Sequence, residues 1–193
     1  MSQDLPTTSY ALLGLLSFGD RLTGYELKQR SDRTLRFYWV SPAMSQVYTE
    51  LGRLTERGLV SAHDDTSAPA RPTRRYQITA TGVRELRDWL GTAPVEFPAL
   101  KHPIALRLLL GHLVDPHTTQ TMLEEYLEAL AERRTDLQAV RDSLETNDAD
   151  PDLFRFPRMV ADWGLDYYEG ERRMVIELIR RVTGEGMDPS PRS

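Results

Sequence analysis

Apolar residues at helical spacing begin near the start of the chain. Tyr10 and the leucines at positions 12, 13, 15 and 16 would line most of one helix surface, so they predict a buried first helix. Thr7 or Thr8 is expected to cap its N-terminus, and the helix should stop at Gly19. A second helix is predicted to follow Thr23, because threonine caps helix N-termini well.

A third helix is predicted from Ser41 and Pro42, since serine caps well and proline is favoured in a first helical turn. It should end at Gly58, because glycine readily adopts a positive φ. Its inward stripe is Met44, Val47, Leu51 and Leu54. Its opposite side, here called the recognition surface, is Ser45, Gln46, Thr49, Gly52 and Arg53. Such small or hydrogen-bonding residues suit a DNA major groove better than the glutamates and lysines of a merely solvated helix.

Two short segments with period-two alternation predict a β-hairpin after the third helix. They are residues 59–62 and 76–79. The connector 63–75 is polar, is interrupted by two prolines, and carries Arg71, Arg74 and Arg75 near its end. This composition is typical of a hairpin whose tip contacts phosphate. A fourth helix is predicted from about Thr81 to Leu90.

The second half predicts helices only. Residues 104–113 are very apolar and predict a short helix that should be buried. A long helix is predicted over 117–146, with leucines near heptad spacing and charged residues between them. After an acidic break, a last helix is predicted from about Pro157 to Thr183.

Three helices followed by a two-stranded hairpin is the element order of a winged helix-turn-helix, in which the third helix reads the major groove. The predicted fold class is therefore mainly α: an N-terminal winged helix-turn-helix followed by a C-terminal α-helical domain. The predicted boundaries are 7–92 and 99–183, with 1–6 and 184–193 disordered.

Four segments of the first half resemble the PadR-like transcriptional regulators. They read YALLGLL at 10–16, GYEL at 24–27, SQVYxxLxxLxxxGLV at 45–60 and RYxITxxG at 75–82. LRL at 106–108, DP at 115–116 and WGxxYYxxE at 163–171 also resemble the C-terminal helical region of the longer members, which serves as their dimerisation domain. The resemblance covers about residues 7–182.

The resemblance implies a transcriptional repressor that binds double-stranded DNA. By this resemblance Tyr48 contacts backbone phosphate, with Lys28 and Tyr25 as helpers, although Tyr25 also fits a place in the core. Arg75 matches the family's basic residue before Tyr76. The full set of candidate DNA contacts is Tyr25, Lys28, Ser45, Gln46, Tyr48, Thr49, Arg53, Arg71, Arg74 and Arg75.

A two-fold dimer is expected, because two half-sites one helical turn apart multiply the specificity of a small domain. An approximate inverted repeat is the matching DNA site. The candidate dimer residues are Leu123, Leu127, Leu130, Leu137, Leu144, Trp163 and Tyr167. A small aromatic effector that releases the DNA stays open, with Trp39, Trp89 and Trp163 as candidate contacts. Core packing is the competing explanation for these aromatic residues.

Composition narrows the function further. The chain has no cysteine, which excludes disulfides, thiolate catalysis and zinc sites that need sulfur. The four histidines lack metal-ligand spacing, and no nucleophile motif or phosphate-binding glycine loop is present, so we expect neither a metal, a cofactor nor an enzyme. No export signal or membrane span is evident, and the cytoplasm is the expected location.

The net charge of −5 is unevenly distributed. Residues 1–90 carry 12 basic against 10 acidic side chains, whereas the remainder carries 12 against 19. This asymmetry favours DNA binding by the first half. Because the excess is only two charges, an alternative stays open: a winged-helix module that binds a protein or a small molecule without specific DNA binding.

Overall fold

The computed structural model describes residues 5–65, 73–95, 97–98, 101–145 and 152–184. The chain divides into two compact units, Met1–Glu96 and Phe97–Ser193. The first unit contains α1 (Thr7–Leu16), β1 (Leu22–Thr23), α2 (Gly24–Thr34), α3 (Met44–Glu56), β2 (Val60–Asp65), β3 (Thr73–Ile78) and α4 (Ala80–Thr92). The second contains α5 (Pro103–Leu109), α6 (Pro116–Glu145) and α7 (Arg155–Thr183). This order confirms the predicted fold class.

The core of the first unit is built from the apolar sides of its helices. Seven side chains there are fully buried: Leu12, Leu13, Leu16, Leu27, Val47, Leu51 and Leu54. Tyr10 stacks on Trp89 of α4, with ring centroids 4.6 Å apart. Leu5, which the sequence analysis placed outside the domain, also packs in this core. The apolar positions with helical spacing are therefore buried, as their spacing predicts.

The sheet has three antiparallel strands in the order β1, β3, β2. β2 and β3 form the predicted hairpin but extend farther into its polar connector, pairing Asp65 with Thr73. β1 pairs Thr23 with Arg75 on the other edge of β3. The sequence analysis missed β1, because two residues are too short to show an alternating pattern.

Helix starts agree with the sequence only in part. Thr23 caps α2 as predicted, and Glu26 completes a capping box by accepting from the Thr23 backbone N–H at 2.8 Å. The predictions at Thr7 and Ser41 are wrong: α1 begins at Thr7 itself and α3 begins only at Met44. The Ser41 hydroxyl donates to Asp32 at 2.6 Å instead. The side chain thus bonds to α2 rather than to α3.

In the second unit α6 and α7 run antiparallel, since Arg141 bonds Asp162 while Tyr126 bonds Glu171. Leu123 of α6 and Val175 of α7 belong to one buried apolar cluster, and each is at most 1% exposed. Leu137, farther along α6, is also fully buried. His102, just before α5, lies with its Nε2 2.8 Å from a Glu171 carboxylate oxygen of α7 and 3.3 Å from the Tyr126 hydroxyl of α6. These bonds attach the start of α5 to both long helices.

The prediction that residues 104–113 are buried is wrong for most of the segment. Ile104 is buried and Leu108 packs partly against α6 and α7. Leu106, Leu109 and Leu113 are 61%, 75% and 72% exposed. A helix of seven residues turns only one side toward its neighbours, and the other leucines of this single chain face solvent.

The described helices include none that is both long and apolar enough to cross a membrane. Among the same described residues, His, Asp and Glu side chains form no group of three that could hold a metal ion.

Gly82→Ala should destabilise the first unit, because its Cβ would lie 2.2 Å from the Leu59 carbonyl oxygen. We expect a loss of about 1–3 kcal/mol in the free energy of unfolding, the range for overpacking. Gly91→Ala on the same helix is the matched control: no described atom outside its own helix lies within 4 Å of the added Cβ. It should gain up to about 1 kcal/mol. Urea unfolding followed by circular dichroism measures both, and equal stabilities would contradict this packing.

Candidate nucleic-acid interface

α3 turns opposite sides to the core and to solvent. Val47, Leu51 and Leu54 are fully buried, whereas Met44 is only half-buried. The recognition surface is exposed at Ser45, Gln46, Thr49 and Gly52, and Arg53 is partly exposed. The Thr49 hydroxyl donates to the Ser45 carbonyl oxygen of the same helix at 3.0 Å. This side of α3 therefore presents polar side chains and no large apolar ones.

A buried carboxylate helps to hold α3 in place. Glu50, 5% exposed, accepts a short hydrogen bond from the fully buried Ser9 hydroxyl of α1. Arg53 lies 3.4 Å from the same carboxylate. A buried carboxylate is costly unless it is paired, and these two partners satisfy Glu50. Arg53 thus links the recognition surface to the support beneath it.

Tyr25 is the second residue of α2 and Tyr48 of α3 lies beside it, and both are about half exposed. A Cβ on Gly24 would lie 2.5 Å from Tyr48 Cε1, so the ring packs directly on that backbone. The Tyr25 hydroxyl accepts from the Gln29 amide at 3.0 Å. With an exposure of 58%, Tyr25 is not a core residue, and that alternative is wrong.

Lys28 is engaged within its own helix. Its ammonium group donates a short hydrogen bond to Asp32, which also accepts from Ser41 just before α3. Ser41 in turn lies 2.9 Å from the hydroxyl of Ser31. The Lys28 bond is the largest cause that lowers the pKa of Asp32, followed by the Ser41 bond. This network ties α2 to the segment that leads into α3.

The arginines of the hairpin differ in their surroundings. Arg74 is exposed and pairs in register with Asp64. Arg75 donates to Asp65, Glu26 and the Arg21 carbonyl oxygen at 3.0, 3.1 and 3.0 Å. Arg71 lies outside the described residues.

Sequence reasoning missed the acidic partners of the candidate cations: Asp32, Glu50, Glu26 and Asp65. Glu26 carried a local signal, because Thr23-x-x-Glu26 is the capping-box pattern. Asp32 and Glu50 carried one too, because they lie four residues after Lys28 and three residues before Arg53 on the same helices. The bond from Ser9 to Glu50 and the pairing of Asp65 with Arg75 arise through the tertiary fold, where no spacing rule applies.

The candidate dimer residues fall into two groups. Leu123, Leu130 and Leu137 are buried within their own unit, while Leu127 and Leu144 are half-buried. Trp163 and Tyr167 of α7 are 64% and 48% exposed. Packing inside the unit is enough to explain the burial of the three leucines, so the exposed aromatic pair is the better candidate for contact with a second chain.

The three candidate effector residues have different surroundings. Trp89 is half-buried by its stacking on Tyr10, which is core packing. Trp39, in the first unit, and Trp163, in the second, are each more than half exposed. An open cavity of about 390 Å³ in the second unit is lined by other residues: Arg107, His117, Thr118, Thr121, Met122 and Glu125.

Comparison with known proteins connects this geometry to a family. The model of the transcriptional regulator PadR-like family matches residues 12–88, and the virulence activator alpha C-terminal model matches 100–182. The negative transcriptional regulator PadR of Bacillus subtilis is 27% identical over 148 residues, which cover 77% of this chain and 80% of that protein.

Solved structures share the fold. The structure of Bacillus subtilis PadR in complex with operator DNA has a TM-score of 0.78 at 22% identity, and covers 92% of this chain and 99% of that one. The PadR-like regulator BC1756 of Bacillus cereus has a TM-score of 0.73 at 18% identity, with 94% and 99% covered. The Vibrio cholerae virulence activator AphA gives 0.68 at 20% identity, with 92% and 99% covered. The matches confirm the resemblance seen in the sequence: residues 12–88 form a domain of the transcriptional regulator PadR-like family.

Proposed function

We propose that this chain is a sequence-specific transcriptional repressor that acts in the cytoplasm by binding operator DNA, and that it does not act by catalysis. The observation that carries the proposal is the exposed recognition surface on a helix whose other side buries Val47, Leu51 and Leu54 completely. The family match and the operator complex of Bacillus subtilis PadR support it.

Contacts within the proposed site follow from side-chain chemistry. Ser45, Gln46 and Thr49 are assigned to base edges in the major groove, where hydroxyl and amide groups can donate and accept. Tyr25 and Tyr48, half exposed beside the start of α2, are assigned to backbone phosphate. The remaining candidates are basic: Lys28, Arg53, Arg71, Arg74 and Arg75. Among the basic candidates that the structure describes, Arg74 is the exposed one. It is therefore the first choice for a phosphate contact by the β2–β3 hairpin, which is called the wing.

We further propose that the repressor is a homodimer that binds an approximate inverted repeat, and that α7 provides the contact. Six large apolar side chains on α7 are exposed: Phe156, Met159, Val160, Trp163, Tyr167 and Met174. Five of the six lie along one stripe, because they form two series with a spacing of seven residues: 156 and 163, and 160, 167 and 174. Exposed apolar stripes of this kind mark association surfaces.

A small aromatic acid is the proposed effector that releases the DNA. Bacillus subtilis PadR, 23% identical with a TM-score of 0.71, has been solved in complex with p-coumaric acid. In this chain Trp39 and Trp163 present exposed indole rings, whereas Trp89 is engaged with Tyr10. Adding p-coumaric acid to the complex of this protein with DNA tests whether an aromatic acid of this kind releases the DNA. Unchanged DNA affinity would exclude p-coumaric acid as the releasing ligand.

Gln46→Ala and Arg74→Ala should change DNA binding in different ways. Loss of a base contact by Gln46→Ala should cost about 1–3 kcal/mol of preference for the operator, with the salt dependence unchanged. Loss of a phosphate contact by Arg74→Ala should weaken binding to all duplexes and reduce the salt slope by about one. Fluorescence anisotropy on the duplex upstream of the protein's own gene and on a scrambled duplex, across a salt series, measures both.

The unmodified protein provides the control in that experiment. It should prefer the native duplex by about 10³ or more. Equal, weak binding to both duplexes would contradict specific recognition of an operator upstream of the gene. No binding even at low salt would favour the alternative, a winged-helix module that binds a protein or a small molecule without specific DNA binding.

Trp163→Asp should produce a monomer without unfolding the chain, because the side chain is 64% exposed and a carboxylate would break an apolar contact between copies. Leu130→Asp should instead unfold the second unit, since Leu130 is 5% exposed within its own chain. Thr135→Asp, at an exposed position of α6, is the control and should stay dimeric. Light scattering and circular dichroism report mass and folding, and a dimeric Trp163→Asp variant would rule out this surface.

A further inference from the structure

Arg75 binds three separate parts of the first unit. It lies on the central strand β3, opposite Thr23 of β1 and His63 of β2. Its Nε donates to Asp65 at 3.0 Å, and one terminal nitrogen donates both to Glu26 at 3.1 Å and to the Arg21 carbonyl oxygen at 3.0 Å. One guanidinium therefore joins the hairpin, the first turn of α2 and the segment before β1.

The Glu26 oxygen that accepts from Arg75 is shared with the helix cap. The same Oε2 atom accepts from the Thr23 backbone N–H at 2.8 Å. That backbone bond is the largest cause lowering the pKa of Glu26, and the positive charge of Arg75 lowers it further. The position of the wing and the start of α2 are thus fixed by one carboxylate.

The neighbouring arginine has the opposite character. Successive residues of a strand point to opposite faces, and Arg74 is exposed while Arg75 is half-buried. The side chains of Arg75, Glu26 and Asp65 are 34%, 41% and 32% exposed. A single exposed ion pair contributes little to stability, but one planar guanidinium bonded to three acceptors fixes a geometry.

We propose that Arg75 is a positioning residue that locks the wing against α2, and that its charge is not used on DNA phosphate. The lock sets the angle at which Arg74 and the rest of the wing approach the duplex. The resemblance alone had suggested Arg75 as a direct wing contact, but its Nε and one terminal nitrogen already donate to Asp65 and Glu26, whose negative charges oppose a phosphate at the same guanidinium. The inference rests on the proposed DNA-binding function.

Asp65→Asn distinguishes the two roles by the sign of its effect. Removing a negative charge from a DNA-binding surface should strengthen binding if Arg75 serves phosphate, because the arginine is then released. If Arg75 is a lock, the same change loosens the wing and should weaken operator binding by about three- to tenfold. Asp64→Asn, the neighbouring acid paired in register with Arg74, is the matched control and should not weaken binding.

Arg75→Lys provides the second comparison. An ammonium group keeps the charge but cannot reproduce the planar fork that reaches Asp65, Glu26 and the Arg21 carbonyl. If Arg75 is a positioning residue, Arg75→Lys should lose as much affinity for the operator as Arg75→Ala. Both variants should keep the salt dependence of DNA binding that the unmodified protein shows. A slope reduced by about one in Arg75→Ala, with affinity rescued by Arg75→Lys, would overturn the proposal.

Hydrogen–deuterium exchange without DNA keeps this test separate from the proposed function. Amides of β2 and β3 should exchange faster in Asp65→Asn than in Asp64→Asn, because the wing opens more often when the lock is weakened. Equal exchange rates in the two variants would overturn the lock. If the unmodified protein bound no DNA while the exchange difference remained, the DNA-binding proposal would fail and the lock would stand as structural only.

Discussion

The docking of α3 onto the core is the constraint on which the rest of the first unit depends. Val47, Leu51 and Leu54 are fully buried, so α3 cannot rotate about its axis without exposing them. Glu50 adds a directional restraint, because its buried carboxylate needs the Ser9 hydroxyl of α1. These contacts fix which side of the helix faces solvent. The polar side chains of the recognition surface face outward as a result, and the proposed reading of DNA requires that orientation.

Several cations of the first unit pair with acids of the same unit. Lys28 bonds to Asp32, Arg53 lies beside Glu50, and Arg75 bonds to two carboxylates. These pairs fix side-chain positions and reduce the positive charge available to phosphate. They explain why residues 1–90 carry almost as many acidic as basic side chains, because several of the acids hold basic residues in place. The proposed interface therefore depends on geometry at α3 and on exposed cations such as Arg74, more than on bulk charge.

The sequence predicted the helices of both units and the orientation of α3, because helical periodicity reports directly which positions share a face. It did not predict that Leu106 and Leu109 are exposed, since an apolar run shows a need for burial but not what covers it. β1 was too short to carry a pattern. The partners of Arg75 were also missed: Glu26 lies 49 residues away along the chain, and only the folded sheet brings the two together. Residue type thus identified candidate contacts, whereas their roles depended on tertiary neighbours.

Cleavage of DNA by a reagent tethered to α3 tests most directly whether this helix enters the major groove. The chain contains no cysteine, so Gly52→Cys would provide a unique attachment point at an exposed position where no described atom outside its own helix lies within 4 Å of the added Cβ. Gly91→Cys on α4 is the control. On the duplex upstream of the protein's own gene, an iron–EDTA group at position 52 should cut at two sites separated by a whole number of helical turns of about 10–10.5 base pairs. Diffuse cutting, or a pattern identical to that from position 91, would contradict the assignment of α3 as the element that reads DNA.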